Sequence, residues 1–516
     1  MRAESPSRGE ILPLTRRVSG APHPLALLGA ISEGGLRPDT MAFDWAEGGG
    51  GSRRRSLIVA RSMLRLCCRD GVVRIDPLTP NGQALMPFLP VPPEGDPRSA
   101  HGLELDDRAR LLAPGPLDPL RSAILRSRLA GRPDPLSYLA LGVFAYDLVD
   151  LIEPLPPPRS DDMGFPQYVA WIPDRLFIVD HDRGVTTTVA LVVGDGDSSA
   201  LYNDAMRDVD RLARLAEDVA ARGAPPDPGA APASPVSVDV TDAQFAELVR
   251  RLQQHVVAGD VFQIVPSRTF STPCQDPFAA CLRLWEADPA PYRFYVRAPD
   301  FTLFGASPET ALRVDPFSRR VTIRPIAGTF PRGRSGNAQD PELDARLQAA
   351  LLTDTKELAE HLMLVDLARN DVARVSRSGT RGVARLLTVE RYPHVMHLVS
   401  EVTGELDEGL DPLHAYAATL NMGTLVGAPK IRAAQLLREH ETTRRGPYGG
   451  AVGFLTADGG FDTGIVIRSA LVADGLARVR AGAGVVLDSD PETEALETRR
   501  KAAGVLGALT TEAALR

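Results

Sequence analysis

Apolar positions along this chain follow two periods, one of strands and one of helices. Residues 56–68 and 185–193 are alternating or continuous apolar runs and predict strands, while 204–220 repeats its apolar residues at helical spacing and predicts an amphipathic helix. A helix over 242–257 carries Phe245, Leu248, Leu252 and Val256 on one face, and a short strand over 261–265 follows it. Residues 343–375 read as one long helix, whose stripe of Leu358, Leu362 and Val365 points away from the edge bearing Glu357 and Glu360. Residues 392–399 and 464–471 read as strands, the first placing Val395, His397 and Val399 on one side. Residues 478–487 predict a strand running into a helix. There Asp488 or Asp490 can serve as N-cap, Pro491 suits the first helical position, and Glu494, Glu497 and Lys501 share a face.

Strands and helices do not alternate regularly, so the expected fold is α+β, with large, mainly antiparallel sheets flanked by helices. No repeat of fixed period is present. The Pro- and Ala-rich run at 222–236 cannot sustain a helix or a ladder. It divides the chain into an N-terminal region (1–221), a linker (222–240) and a C-terminal region (241–510). Gly-rich residues 48–52 predict a surface turn.

With 44% apolar and 24% charged residues among 516, the chain can bury a sizeable core. A net charge of -8 without a basic stripe argues against a nucleic-acid partner. Four cysteines, Cys67, Cys68, Cys274 and Cys281, form no disulfide or metal-binding pattern, as expected for structural thiols in a reducing cytoplasm. No apolar run approaches the roughly 20 residues of a membrane span and no secretory leader is recognisable, so a cytoplasmic location without membrane contact is expected.

Only three of the 58 basic residues are lysines, namely Lys356, Lys430 and Lys501. Against so strong a preference for arginine, a retained lysine points to a need for a compact ammonium. Lys356 directly precedes one pair of glutamates at i, i+3 spacing, Glu357 and Glu360; Lys501 lies one turn beyond another, Glu494 and Glu497. Each pair alone reads more readily as a solvated helix face, with Glu497 and Lys501 an ordinary i, i+4 ion pair. Taken together, four converging carboxylates call for a hard divalent cation, and Mg²⁺ bridging to a carboxylated small molecule is the expected cofactor. The run Ala481-Gly482-Ala483-Gly484 between a strand and a helix could bring backbone N–H groups up to an anion, or could serve close strand packing. Residues 421–430 have the wrong spacing for a phosphate loop, which excludes a nucleoside triphosphatase. On spacing alone His397 is a core histidine, and Arg468, if buried, requires an anionic partner.

The motifs Gly305-Ala-Ser-Pro-Glu309, Pro325-Ile-Ala-Gly328-Thr329, the segment from Lys356 to Asp371, Gly449-Gly-Ala-Val-Gly453 and Ala481-Gly-Ala-Gly-Val-Val486 occur in this order. The set resembles the chorismate-using enzymes, closest to the large subunit of anthranilate synthase. The resemblance is strong over 241–510 and weaker over the N-terminal half. It implies Glu360 and Glu497 as direct Mg²⁺ ligands, with Glu357 and Glu494 in support. It implies Gly328, Thr329, Tyr448, Arg468, Gly482, Ala483, Gly484 and Lys501 as substrate-binding positions. Glu309 matches the general acid for the departing ring hydroxyl, His397 the histidine of pyruvate elimination, and Thr424 lies in the active-site loop. Water-adding relatives carry a lysine where this chain has Gln263, and para-aminating ones a lysine at Ala327. With neither present, the resemblance implies ammonia attacking ortho to the carboxylate, then pyruvate loss to anthranilate. The chain has no amidotransferase cysteine and histidine domain, so ammonia is expected from a separate glutamine amidotransferase subunit in a hetero-oligomer.

Three departures stand out. The tryptophan-feedback motifs of the family are replaced by Ala42-Phe-Asp-Trp45 and Pro291-Tyr-Arg293, so weak or absent inhibition is expected; Val426 replaces a usual serine. Loss of feedback would suit a specialised-metabolite pathway such as antibiotic biosynthesis as well as tryptophan biosynthesis. Arrest at 2-amino-2-deoxyisochorismate is accordingly an alternative. An isochorismate or salicylate synthase and a non-catalytic scaffold are the remaining, weaker readings.

Overall fold

The computed structural model describes residues 6–46, 53–90, 106–153, 155–157, 163–335, 338–392 and 395–511, with Thr329 described through its backbone. The turn expected at 48–52 lies outside them. Two long antiparallel strands, Arg54–Arg69 and Tyr168–Asp180, organise the rest. Their register shifts repeatedly between Val59 and Leu64, and such bulges bend a strand so that its two ends can belong to different sheets. Residues 54–59 pair with Thr40–Ala46, whereas 64–69 pair with Val72–Pro77. On the partner strand, 175–180 pair with Val185–Val193 and 168–171 with Leu139–Phe144.

The first sheet runs from Thr40–Ala46 through Tyr292–Arg297, Thr302–Ser307, Ser469–Ala473 and Leu476–Gly482 to Ser267–Pro273. The second runs from Leu139–Phe144 through Ala451–Thr456, Phe461–Ile465, Thr310–Val314 and Arg320–Ile323 to Val395–Glu405. Gly382–Arg391 and Ile326–Pro331 also pair with that last strand. Strands from the two sides of the linker are thus joined edge to edge within the same sheets. Pairing is antiparallel except for two residues of Glu10–Ser19 against Arg128–Leu129, the α+β architecture expected from the sequence.

Phe43, Trp45, Tyr292 and Phe454 meet between the sheets, with ring centroids 5.0 to 6.1 Å apart. The other face of the first sheet, with Ile58, Phe177, Phe270 and Phe304, is covered by the helices Pro24–Ile31, Ser199–Arg222, Pro277–Ala287 and Pro491–Leu509. All four cysteines are free thiols. No described helix is long and apolar enough to cross a membrane.

Several elements fall where the pattern puts them. Asp242–Val257 is a helix closed by a Thr241–Gln244 capping box, and Pro491–Leu509 starts at Asp490, whose side chain accepts from the Thr493 N–H. Others differ. The single helix expected over 343–375 is two, Pro341–Thr353 and Thr355–Ala373, because Asp354 leaves the helical backbone region (φ -71°, ψ 114°) and caps the second through the Glu357 N–H. In the second helix Val365 is buried and Leu358 partly buried as expected, but Leu362 is 46% exposed, and the buried face also takes in His361, Leu364, Ala368 and Val372. The strand expected over 261–265 is only Gln263–Ile264. The strand expected over 464–471 is broken at Arg468, where φ is +49°, and that expected over 478–487 ends at Gly482.

Candidate active site

The chain crosses from the first sheet to the second at residues 308–309 and back at 466–468, and the two crossings are tied together. Ile465 N–H donates to the Glu309 carbonyl at 2.9 Å, and Ala306 N–H donates to the Arg468 carbonyl at 3.1 Å. Glu309 and Arg468 are therefore delivered to one place, where the sheets part. Arg468 then reaches the start of the next layer, donating through Nη1 to the Lys501 carbonyl at 2.5 Å. Burial lowers its pKa, against the opposing pull of the Asp288 and Glu497 carboxylates.

Lys501 completes this wall. Its Nζ donates to the Gly482 carbonyl at 3.1 Å and pairs with Glu497 Oε1 at 2.6 Å. Buried Tyr448 lies beside the same loop, since a Cβ placed on Gly482 would fall 3.0 Å from its hydroxyl. Ala483 is fully buried and Gly484 borders Gln263, whose Nε2 would meet a Cβ there at 2.8 Å. Gln263 donates through Nε2 to Glu360 Oε1 at 2.9 Å, and its own Oε1 is buried without a partner. Gly427 makes this placement possible: its φ of +123° and its approach to the Gln263 carbonyl, 2.2 Å from a built Cβ, admit no side chain.

The two glutamate pairs come from facing helices. Burial first, then Glu360, Asp354 and Glu497, push the Glu357 carboxyl up, so acids of both helices act on one another. Glu494 is 6% exposed, its Oε2 has no hydrogen-bond partner, and burial followed by the Glu497 charge raises it to about 7. Glu497 is lowered: burial opposes ionisation, but the Lys501 ammonium outweighs it. Among the described residues no three acidic, histidine or cysteine side chains stand together in a cation-holding arrangement. Glu360 is engaged by Gln263 and Glu497 by Lys501. The donor set nevertheless suits a hard cation, being all oxygen, mutually repelling and including one buried carboxylate oxygen without a donor.

Glu309 is 8% exposed and accepts from Thr424 Oγ1 at 3.0 Å. Burial raises its carboxyl to about 8, against the opposing pulls of the Thr424 hydroxyl and the Lys501 ammonium. His397 lies on Val395–Glu405, where its Nδ1 is 3.3 Å from the Gly328 carbonyl oxygen. Its pKa is lowered, chiefly by burial and also by the Arg468 charge. Gly328, with φ +71°, allows that carbonyl to turn inward, and a Cβ there would lie 3.2 Å from Glu357 Oε2. The Thr329 backbone sits in register with His397, and its side chain lies outside the described residues.

Some residues around the site were not singled out from the sequence. A buried Arg445–Glu441–Arg480 cluster braces it: Arg445 donates to the Val265 and Leu425 carbonyls, and Glu441 accepts from Ser267. Arg324 donates to Glu390 at 2.5 Å, Tyr392 donates to Glu390 at 3.2 Å, and the Tyr392 ring lies 5.5 Å from that of His397. Arg324 and Glu390 lie 66 residues apart and no spacing signal joins them, whereas Glu441 and Arg445 stand at i, i+4 spacing, a signal that could have singled them out. Lys430 is absorbed by a buried pair with Asp371 at 2.6 Å.

Two departures have clear surroundings. Trp45 is 1% exposed within the inter-sheet aromatic cluster, while Asp44, fully buried on the opposite face, accepts from Arg54, from Ser56 at 2.7 Å and from Arg293 at 2.9 Å. Arg293 also lies 4.7 Å over the Trp285 ring. Val426 packs in the core beside Tyr146 and Ile264.

Comparison with known proteins agrees with this geometry. Residues 99–507 match the chorismate binding enzyme family. The chain is 48% identical over 487 residues to the pyocyanine-specific anthranilate synthase component 1 of Pseudomonas aeruginosa, covering 91% of this chain and 89% of that one. It is 45% identical over 502 residues to anthranilate synthase component 1 of Vibrio cholerae, covering 94% of each. Among solved structures, anthranilate synthase component I of Streptococcus pneumoniae superposes with a TM-score of 0.71 at 29% identity, over 89% of this chain and 93% of that one. The menaquinone-specific isochorismate synthase of Escherichia coli shares the fold, with a TM-score of 0.67 at 18% identity over 99% and 97% of the two chains. With its glutamate helices, glycine-lined wall and buried acid in one site, the chain belongs to the chorismate binding enzyme family.

Proposed function

We propose that this enzyme aminates chorismate with ammonia to 2-amino-2-deoxyisochorismate and then eliminates pyruvate to give anthranilate. Arg468, Lys501, Tyr448 and the backbone of 482–484 form the wall that holds the dianionic substrate. Glu309 carries its proton at neutral pH because burial makes the charged form costly, and it delivers that proton to the departing ring hydroxyl, which leaves as water. Ammonia, a nucleophile without help, bonds to the ring carbon ortho to the carboxylate. His397, largely neutral because its pKa is lowered, takes the ring proton as pyruvate departs.

Glu360 and Glu497, with Glu357 and Glu494 behind them, would hold Mg²⁺, which when bound neutralises the acids and polarises the substrate carboxylate. Gln263 and Lys501 engage one oxygen each of Glu360 and Glu497, leaving the other oxygen of each as the donor to the cation. The observation that carries the reading is Gln263: a neutral amide at the site cannot deprotonate water, so the nucleophile must be basic already. Ammonia comes from a separate glutamine amidotransferase subunit, consistent with the designation of the relatives as component 1. Buried Trp45 and the Arg293–Asp44 pair fill the region of the family's feedback motifs, which supports weak or absent inhibition by tryptophan.

A second reading is arrest at 2-amino-2-deoxyisochorismate, against which stands the 48% identity to a relative named as an anthranilate synthase component 1. Mass spectrometry of products from chorismate, Mg²⁺ and ammonium decides. Anthranilate with stoichiometric pyruvate supports full turnover, the aminated intermediate supports arrest, and isochorismate as the main product refutes both.

A further inference from the structure

Beside Glu309 lies a small cavity, partly open, lined by Glu309, Thr424, Ile323, Arg324, Leu367 and Ala368, among others. It offers about 20 Å³ to the centres of water-sized occupants, room for one or two water molecules. On the outer side runs a groove of about 970 Å³, lined by arginines that include Arg320, Arg385 and Arg391. The two spaces share Thr310 and Arg324 as wall residues. Neither is lined by Gly328, Tyr448, Arg468, Gly482 or Lys501.

Arg324 stands at the partition in an unusual state. One guanidinium nitrogen is held by Glu390 at 2.5 Å, while its buried Nε–H has no hydrogen-bond partner. A buried donor left unpaired is costly unless a water takes it. Glu309 and Thr424 are also in the cavity wall, and with Arg324 they supply polar partners enough to hold such a water.

We propose that Glu309 regains its proton from this side, through water held between it and Arg324 and exchanging with the arginine-lined groove. The inference rests on the reading of Glu309 as the general acid. Each turnover takes one proton from Glu309 to the departing hydroxyl, and the bound substrate closes the front. The resulting carboxylate takes a proton from the cavity water, which takes one from a groove water in turn, so hydroxide is neutralised by bulk buffer. Arg324 is a positioning residue, anchoring the water through Nε–H while Glu390 fixes its guanidinium. Tyr392 links Glu390 to the His397 ring and places the groove wall against the elimination base as well.

The test is ammonium-dependent turnover of Arg324→Met, which removes the donor, and of Ala368→Leu, which fills the cavity, each with its thermal melt. The expected result is a loss of kcat of ten-fold or more, KM for chorismate within two-fold, and partial recovery on adding millimolar imidazolium as a diffusible acid. Arg324→Lys, which keeps a donor, should retain more kcat than Arg324→Met. Wild-type kcat in both folded variants overturns the proposal, as does a joint loss of kcat and KM that imidazolium does not relieve. Full activity in Glu309→Gln would instead remove the general acid on which the proposal rests.

Discussion

Replacing Glu309 by glutamine should stabilise the protein and nearly abolish its activity, and both effects follow from one burial. In an unfolded chain this carboxyl titrates at its ordinary 4.5, whereas in the fold burial holds it at about 8. The native state therefore binds a proton that the unfolded state has released, and stability falls as pH rises from 4.5 to 8. The interval corresponds to about 5 kcal/mol when complete, and to about 3 kcal/mol at pH 7. Glutamine is uncharged in both states and can keep its contact with Thr424 Oγ1, so it escapes this penalty. Urea denaturation should show Glu309→Gln near wild type at pH 5, more stable by roughly 2 to 3 kcal/mol at pH 7, and more so at pH 8.5. Loss of the acid should cost on the order of 10² to 10⁴ in ammonium-dependent kcat. A stability gain that is the same at pH 5 and 8.5, or activity within ten-fold of wild type, would refute the reasoning.

Three further outcomes test other parts of the site. His397→Gln should still convert chorismate to 2-amino-2-deoxyisochorismate while pyruvate release, followed by coupled lactate dehydrogenase, falls by about 10² or more. Removal of divalent metal with EDTA should abolish turnover and added Mg²⁺ restore it, whereas calorimetry of Glu360→Gln and Glu497→Gln should show Mg²⁺ binding weakened at least ten-fold; tight binding by both variants would move the metal elsewhere. Asp44→Ala leaves Arg54 and Arg293 without their buried carboxylate and should destabilise the fold by about 3 to 5 kcal/mol in denaturant titration, an effect far too large for a surface pair.

The sequence made parts of this structure readable and hid others for identifiable reasons. The helix Asp242–Val257 was legible because its apolar residues Phe245, Leu248, Leu252 and Val256 repeat at helical spacing. The break at Asp354 was not, since an aspartate is tolerated inside a helix and only its capping of Glu357 shows that it stands outside one. Leu362 misled because periodicity gives a face but not what covers it. Arg468 looked like a strand residue, and its positive φ is set by the crossing between sheets, a tertiary demand. The glutamate pairs were visible through their spacing, yet nothing local shows that Gln263 reaches Glu360 or that Arg324 shares a cavity wall with Glu309.

The joining of early strands to late ones within each sheet has a consequence for how the chain is made. Thr40–Ala46 pairs with Tyr292–Arg297, and Leu139–Phe144 with Ala451–Thr456, so early segments leave the ribosome without their neighbours. For a separation of roughly three hundred residues the wait is on the order of 15 to 60 s at ordinary elongation rates. During that interval the newborn chain offers bare strand edges to any passing β-segment, and its yield in a cell depends on chaperones shielding them until translation is nearly complete.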